Sequence, residues 1–212
     1  MDIKVKICGI TTQEALSASL RNRADYVGFV FHKLSPRNLS LDNARKLIKE
    51  IPDSVKKVAV VVNYDKEFLQ DIHEAIQPDY IQLDGDDTPE QVDELKRKYG
   101  YNIFKTIYVK NLTDLNEKVS IYSPFVDGFI FDSPANREMF VEQPDNTLDW
   151  GILNKLSIDK KWFLSGGLTK YNVKDAIRIS GATMINASSS LESSPGIKDP
   201  HMIEDFIRAA RG

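Results

Sequence analysis

The 212-residue sequence predicts an α/β fold, a single-domain (β/α)8 TIM barrel spanning residues 1–212. Three observations carry this. Short apolar runs alternate with longer segments of helical period, eight times over. Several of the runs are β-branched or aromatic and nearly continuous, as parallel strands covered on both faces must be. The units are also evenly spaced, at about 26 residues each, near the lower limit for a strand–loop–helix–loop repeat. No Pro/Gly/Ser-rich linker or low-complexity stretch divides them. A doubly wound open sheet is the alternative, but it usually has fewer strands and gives no reason for eight even units.

The first run, Ile3–Cys8, leads through Gly9 to Thr11-Thr12-Gln13-Glu14, which reads as a capping box opening a helix. The second, Tyr26–Phe31, is followed by Lys33-Leu34-Ser35-Pro36-Arg37 and a candidate N-cap at Ser40. Lys57–Val62 leads to Asn63. Tyr80–Leu83 leads to Asp84-Gly85-Asp86-Asp87 and a second capping box, Thr88-Pro89-Glu90-Gln91, with Pro at the first helical position. Ile103–Ile107 precedes a candidate cap at Thr113, and Val126–Phe131 ends in Asp132-Ser133. Trp162–Leu164 runs into Ser165-Gly166-Gly167-Leu168 with a candidate cap at Thr169. Thr183–Ala187 runs into Ser188-Ser189-Ser190, before a last helix capped at Asp199 and begun by Pro.

Composition narrows the function classes. With 42% hydrophobic and 28% charged residues and a formal net charge of −3, the chain reads as an ordinary globular protein. Its charges are interleaved, which gives no basic surface for nucleic acid or an anionic membrane. No apolar run approaches a membrane span, and the strand-like N-terminus lacks a signal-peptide pattern. The single cysteine cannot form an internal disulfide, so a reducing, cytoplasmic setting is expected. A monomer and a homodimer are equally compatible with the sequence.

In a barrel of this class the chemistry belongs at the C-terminal ends of the strands. Two glycines after strand 7 allow close backbone approach to a ligand, and the serine run after strand 8 can add hydroxyls and N–H groups. Loops after these two strands commonly form the phosphate site of the fold. Gly166, Gly167, Ser165, Ser189 and Ser190 are therefore candidate phosphate-binding residues. Cys8 ends strand 1, where its thiol can face the barrel mouth and serve as a base. Lys6, two residues earlier, shares that side of the strand. Asp132 closes the apolar run Gly128-Phe129-Ile130-Phe131, a setting that favours a protonated carboxyl and a role as general acid. Asp127, which precedes the run, is the weaker candidate. Arg37 offers a bidentate fork for a substrate carboxylate.

Lys6-Ile7-Cys8-Gly9-Ile10-Thr11 is similar to the N-terminal signature of phosphoribosylanthranilate isomerases. The resemblance continues through Val27-Gly28-Phe29-Val30-Phe31, Ser35-Pro36-Arg37, Gln82-Leu83-x-Gly85, Leu148-Asp149-Trp150, Leu164-Ser165-Gly166-Gly167-Leu168 and Pro195-Gly196-x-Lys198-Asp199, in order along the whole chain. It implies a metal-free Amadori rearrangement in tryptophan biosynthesis, with no cofactor. By resemblance Asp132 protonates the ribose ring oxygen and Cys8 removes the proton from C2. Arg37 holds the anthranilate carboxylate, and backbone N–H groups around Gly166, Gly167, Ser189 and Ser190 hold the phosphate.

Three segments depart from the family pattern. Residues 134–147, where a Gly-rich loop is usual, contain no Gly. Asp84 stands where His is usual, with Asp86 and Asp87 forming an acidic cluster beside it. Asn186-Ala187-Ser188-Ser189-Ser190 replaces the usual Asp-Val-Ser-Ser-Gly. A barrel acting on another sugar phosphate, and a non-catalytic descendant that binds a metabolite or a protein, remain open on the sequence alone. Aldolase-like or epimerase-like relatives need a Schiff-base lysine or clustered histidines. Here only His32, His73 and His201 occur, and Lys105 in strand 5 reads as a barrel-layer residue.

Overall fold

The computed structural model describes residues 2–133 and 148–212. Eight parallel strands close into a barrel in sequence order. They are β1 (Lys4–Cys8), β2 (Tyr26–Phe31), β3 (Lys56–Val61), β4 (Tyr80–Leu83), β5 (Ile103–Tyr108), β6 (Gly128–Asp132), β7 (Lys161–Leu164) and β8 (Met184–Ala187). Their ends fall within two residues of the apolar runs. Around them lie α1 (Gln13–Arg21), α2 (Leu41–Leu47), α3 (Lys66–Ile76), α4 (Pro89–Tyr99), α5 (Leu112–Tyr122), α6 (Trp150–Leu153), α7 (Val173–Ser180) and α8 (Pro200–Arg211). Among the described residues no helix is long and apolar enough to cross a membrane.

Alternation along each strand separates two cores. On β2, Val27, Phe29 and Phe31 pack outward beneath the helices, whereas Tyr26 and Val30 point inward. The inner core is aromatic at its base. Tyr80 stacks on Phe104 at 4.2 Å, and Phe163 meets Tyr26 and Phe104 edge-on at 5.1 and 5.4 Å. These rings plug the barrel from below and leave its upper layers to smaller and polar side chains.

The N-terminal ends of the strands carry a repeated device. Asp25, Asp79 and Asp127 each immediately precede an even-numbered strand and accept from the backbone N–H of the preceding odd one, at Val5, Lys57 and Ile103, 2.8 Å in every case. Each also meets a lysine, Lys4, Lys56 or Lys96. Asp127 is thereby engaged at the end remote from the mouth.

Ser40, Thr88 and Asp199 cap their helices as the sequence predicts, Thr88 with the reciprocal Gln91 bond. Three caps differ. The first helix is capped by Thr12, because the Thr11 hydroxyl donates instead to the Gly196 carbonyl at 2.8 Å. Asn111, not Thr113, caps α5, its side chain accepting from Asp114 N at 2.9 Å. Thr169 initiates a turn closed by Asn172, and α7 begins after it.

Lys105 also departs from expectation. It is buried but points out of the barrel, donating to the carbonyls of Leu83 (3.3 Å) and Gly85 (2.7 Å), with the Asp87 carboxylate at 3.5 Å and the Tyr122 ring alongside. Burial pulls its ammonium below the usual lysine value, against the attraction of Asp87. It therefore braces the loop after β4 from the helix side. The acidic cluster is split accordingly: Asp84 faces the mouth, while Asp87 is turned inward onto Lys105.

Candidate active site

A cavity of about 840 Å³, counting its open mouth, lies at the C-terminal end of the barrel. Cys8, Arg37, Asp132, Ser165, Gly166, Gly167, Ser189 and Ser190 all line it. Their strands are consecutive around the closed sheet. Asp132 on β6 and Cys8 on β1 flank the loops after β7 and β8, and Arg37 follows β2 on the far side of Cys8.

Cys8 ends β1 with its sulfur against Gly28 of the paired strand. A Cβ at Gly28 would lie 2.8 Å from the sulfur and 3.2 Å from Lys6 Nζ, so no side chain fits there. The glycine in Val27-Gly28-Phe29 thus makes room for both groups, and places them beside one another in the barrel. Ser188 Oγ donates to the Cys8 carbonyl at 3.1 Å and fixes the strand end.

The Asp132 carboxylate accepts at both oxygens. Oδ1 takes the backbone N–H of Ser133 at 2.7 Å, and Oδ2 takes the Ser165 hydroxyl at 2.7 Å. Gly166, with φ of 93°, is required here on two grounds. Its backbone is in a region that L side chains avoid, and a Cβ would lie 3.0 Å from Asp132 Oδ1. The next residue, Gly167, also has positive φ, 64°. Two such glycines turn the chain sharply over the acid and leave backbone facing the cavity.

Two of the expected ligand hydroxyls are already engaged. Ser190 Oγ donates to the Leu168 carbonyl at 2.5 Å and fastens the loop after β8 to the loop after β7. The Ser165 hydroxyl serves Asp132. What these positions present to an anion is therefore backbone rather than hydroxyl.

Arg37 makes a bidentate contact, but to Glu192. Nε donates to Oε1 at 2.8 Å and Nη2 to Oε2 at 2.9 Å. Lys198 Nζ pairs with Glu192 Oε1 as well, and Gly196 N donates to Oε2 at 3.1 Å. One edge of the guanidinium is thus occupied, while its Nη1/Nη2 end is a two-donor fork with the geometry to take a carboxylate. Glu192 and Lys198 come from a small antiparallel hairpin after β8, β9 (Glu192–Ser194) and β10 (Ile197–Lys198), which sequence reasoning missed. Its signal was the turn dipeptide Pro195-Gly196 flanked by opposite charges.

Burial raises the proton affinity of Glu192, but the hydrogen bonds and charges of Arg37 and Lys198 outweigh it and hold the carboxyl below the ordinary value of 4.5. A depressed carboxyl stabilises the fold above its unfolded pKa and loses that contribution as pH falls through the folded one. Acidification below 4.5 is therefore expected to release this network. Glu192→Gln, which leaves the buried Lys198 and the half-buried Arg37 on a neutral acceptor, is expected to cost about 3 kcal/mol. Thermal melts across pH check both: the variant should melt lower at neutral pH, and the gap should shrink in acid.

Gln82 also lines the cavity. Its Nε2 donates to Thr106 Oγ1 at 3.2 Å, and its buried Oε1 has no hydrogen-bond partner. Among the described residues no three His, Cys, Asp or Glu side chains gather in a metal-binding arrangement. The segment 134–147, singled out for its lack of Gly, lies outside the described residues.

A family model described as N-(5'phosphoribosyl)anthranilate (PRA) isomerase matches residues 5–209. The N-(5'-phosphoribosyl)anthranilate isomerase of Parvibaculum lavamentivorans is 41% identical over all of this chain and 99% of its own length. Among solved structures, a phosphoribosyl anthranilate isomerase in complex with reduced 1-(o-carboxyphenylamino)-1-deoxyribulose 5-phosphate superposes with a TM-score of 0.83 at 31% identity, covering 99% of each chain. Monomers of the dimeric Thermotoga maritima isomerase give 0.82 at 32% identity, again over 99% of each chain.

Proposed function

The chain belongs to the N-(5'-phosphoribosyl)anthranilate isomerase family and is an enzyme of tryptophan biosynthesis that isomerises N-(5'-phosphoribosyl)anthranilate, and we propose that it does so with Asp132 as general acid and Cys8 as general base. The observation that supports the assignment is their placement: Asp132 and Cys8 line one cavity, on either side of the loops that carry Gly166, Gly167, Ser189 and Ser190. Residues 1–212 act as one barrel domain in this proposal, as a monomer or homodimer in the cytoplasm.

Asp132 gives its proton to the furanose ring oxygen as the C1–O bond breaks, and the anilino nitrogen lone pair forms the C=N bond of an open-chain Schiff base. Cys8, as thiolate, then takes the proton on C2. The C–H electron pair becomes the C1=C2 double bond, and the C=N pair returns to nitrogen. The resulting enolamine tautomerises to 1-(2-carboxyphenylamino)-1-deoxyribulose 5-phosphate. The free end of the Arg37 guanidinium holds the anthranilate carboxylate. The backbone around Gly166, Gly167, Ser189 and Ser190 holds the phosphate, which sets C1 and C2 between acid and base.

Genetic complementation tests the reading. Expression in a tryptophan auxotroph lacking this isomerase is expected to restore growth without tryptophan, and purified protein should turn over N-(5'-phosphoribosyl)anthranilate. A folded, expressed protein that does neither would sink it.

A further inference from the structure

Beneath the cavity a hydrogen-bonded line runs from Lys6, near Cys8 on β1, to Asp132 on β6. Lys6 Nζ donates to Asn186 Oδ1 at 2.8 Å, Asn186 Nδ2 donates to Ser165 Oγ at 2.9 Å, and Ser165 Oγ donates to Asp132 Oδ2 at 2.7 Å. Lys6, Asn186 and Ser165 are all buried, at 0%, 6% and 3% exposure. We infer that Asn186 is a positioning residue for the acid: its amide takes up the buried Lys6 ammonium and aims the hydroxyl hydrogen of Ser165 at Asp132.

With Asp132 ionised, chemistry fixes the direction of every bond. An ammonium only donates, so the amide oxygen of Asn186 must face Lys6 and its NH₂ must face Ser165. The Ser165 oxygen is then an acceptor on that side, and its single hydrogen is left for Asp132. Because the first partner of Lys6 is a neutral amide, the positive charge polarises the line instead of being cancelled at its start. The carboxylate that remains when Asp132 yields its proton thus meets a donor oriented in advance.

A carboxylate at position 186, usual in the family this chain resembles, would accept from Lys6 equally well but could not donate to Ser165. The Ser165 hydrogen would then be shared between two acceptors. The Asn at 186 in this chain removes that ambiguity. The inference rests on Asp132 as the acid, and its test separates the two.

Asn186→Asp keeps the size and the acceptor for Lys6, deletes the donor to Ser165 and cancels the Lys6 charge at the start of the line. On N-(5'-phosphoribosyl)anthranilate it is expected to lower kcat about tenfold, the size of one charge-assisted hydrogen bond, with KM changed by less than about twofold. In a Ser165→Ala background the same substitution should add no further loss, since the group it directs is gone. Asn186→Ala, carried through the same cycle and checked for folding by thermal melt, should behave alike. An Asn186→Asp enzyme with undiminished kcat, or equal losses in both backgrounds, overturns the inference. Asp132→Asn measured alongside tells the cases apart. If it is inactive while the cycle is additive, only the Asn186 inference fails. If it keeps turnover, the acid assignment fails and the inference with it.

Discussion

Asp132→Asn is expected to reduce kcat by about 10²–10⁴-fold, the range supplied by a positioned proton-transfer group. The substitution is close to isosteric, and its amide oxygen can still accept from Ser133 N, the bond now made at 2.7 Å. The end of β6 should therefore keep its course. What is lost is the transferable proton, and with it the route for opening the ribose ring. The amide NH₂ would also confront the Ser165 hydroxyl, which now donates at 2.7 Å and would have to reverse. Steady-state kinetics with a thermal melt check the expectation: kcat should collapse while the melting temperature moves little. Retention of even a tenth of wild-type kcat by a folded variant would remove Asp132 from the proton-transfer step.

Cys8→Ala is expected to cost a comparable factor, about 10²–10⁴ in kcat, because no other side chain takes over proton removal from C2. The strand end should survive. Ser188 holds the Cys8 backbone carbonyl and not the sulfur, and the pairing of residue 8 with Gly28 is a main-chain contact. The thiol is buried, so its removal should lower stability by about 1 kcal/mol, the ordinary size of a small core truncation. Cys8→Ser is the sharper companion. It preserves shape, yet a hydroxyl is far less readily ionised than a thiol, so it should be as inactive as the alanine variant. Wild-type turnover in either variant would transfer the base to another group.

Much of this was legible before the structure, and for a physical reason. Period-two alternation and burial on both faces leave a strong imprint on strands, so all eight were placed within two residues. Cys8, Asp132 and the glycines of Ser165-Gly166-Gly167 line one cavity, and their strand-end positions made that placement legible, because strand ends are where this architecture exposes side chains. What escaped were relations rather than identities. Nothing local in the sequence says that the Ser165 hydroxyl serves Asp132, or that the Ser190 hydroxyl fastens two loops, since each partner lies on a different unit of the barrel. The hairpin carrying Glu192 and Lys198 was too short for any period to register. Lys105 shows the limit of a parity argument: a lone charged residue in an apolar strand gives no clue to which face it takes, and here it faces outward. The shifted cap at Thr12 reflects a tertiary contact, Thr11 with Gly196, that no local rule contains.

The three aspartates that fasten Val5, Lys57 and Ile103 sit at the end of the cylinder opposite the chemistry. They tie strands together in pairs, so the foundation is laid as repeated two-strand courses, independent of whatever is built on top. Residues at the open rim such as Asp84, Asn186 and Ser190 take no part in these ties, so changing them leaves the ring beneath fastened. A scaffold anchored in this way is free to explore new substrates at one rim while its architecture is guarded at the other.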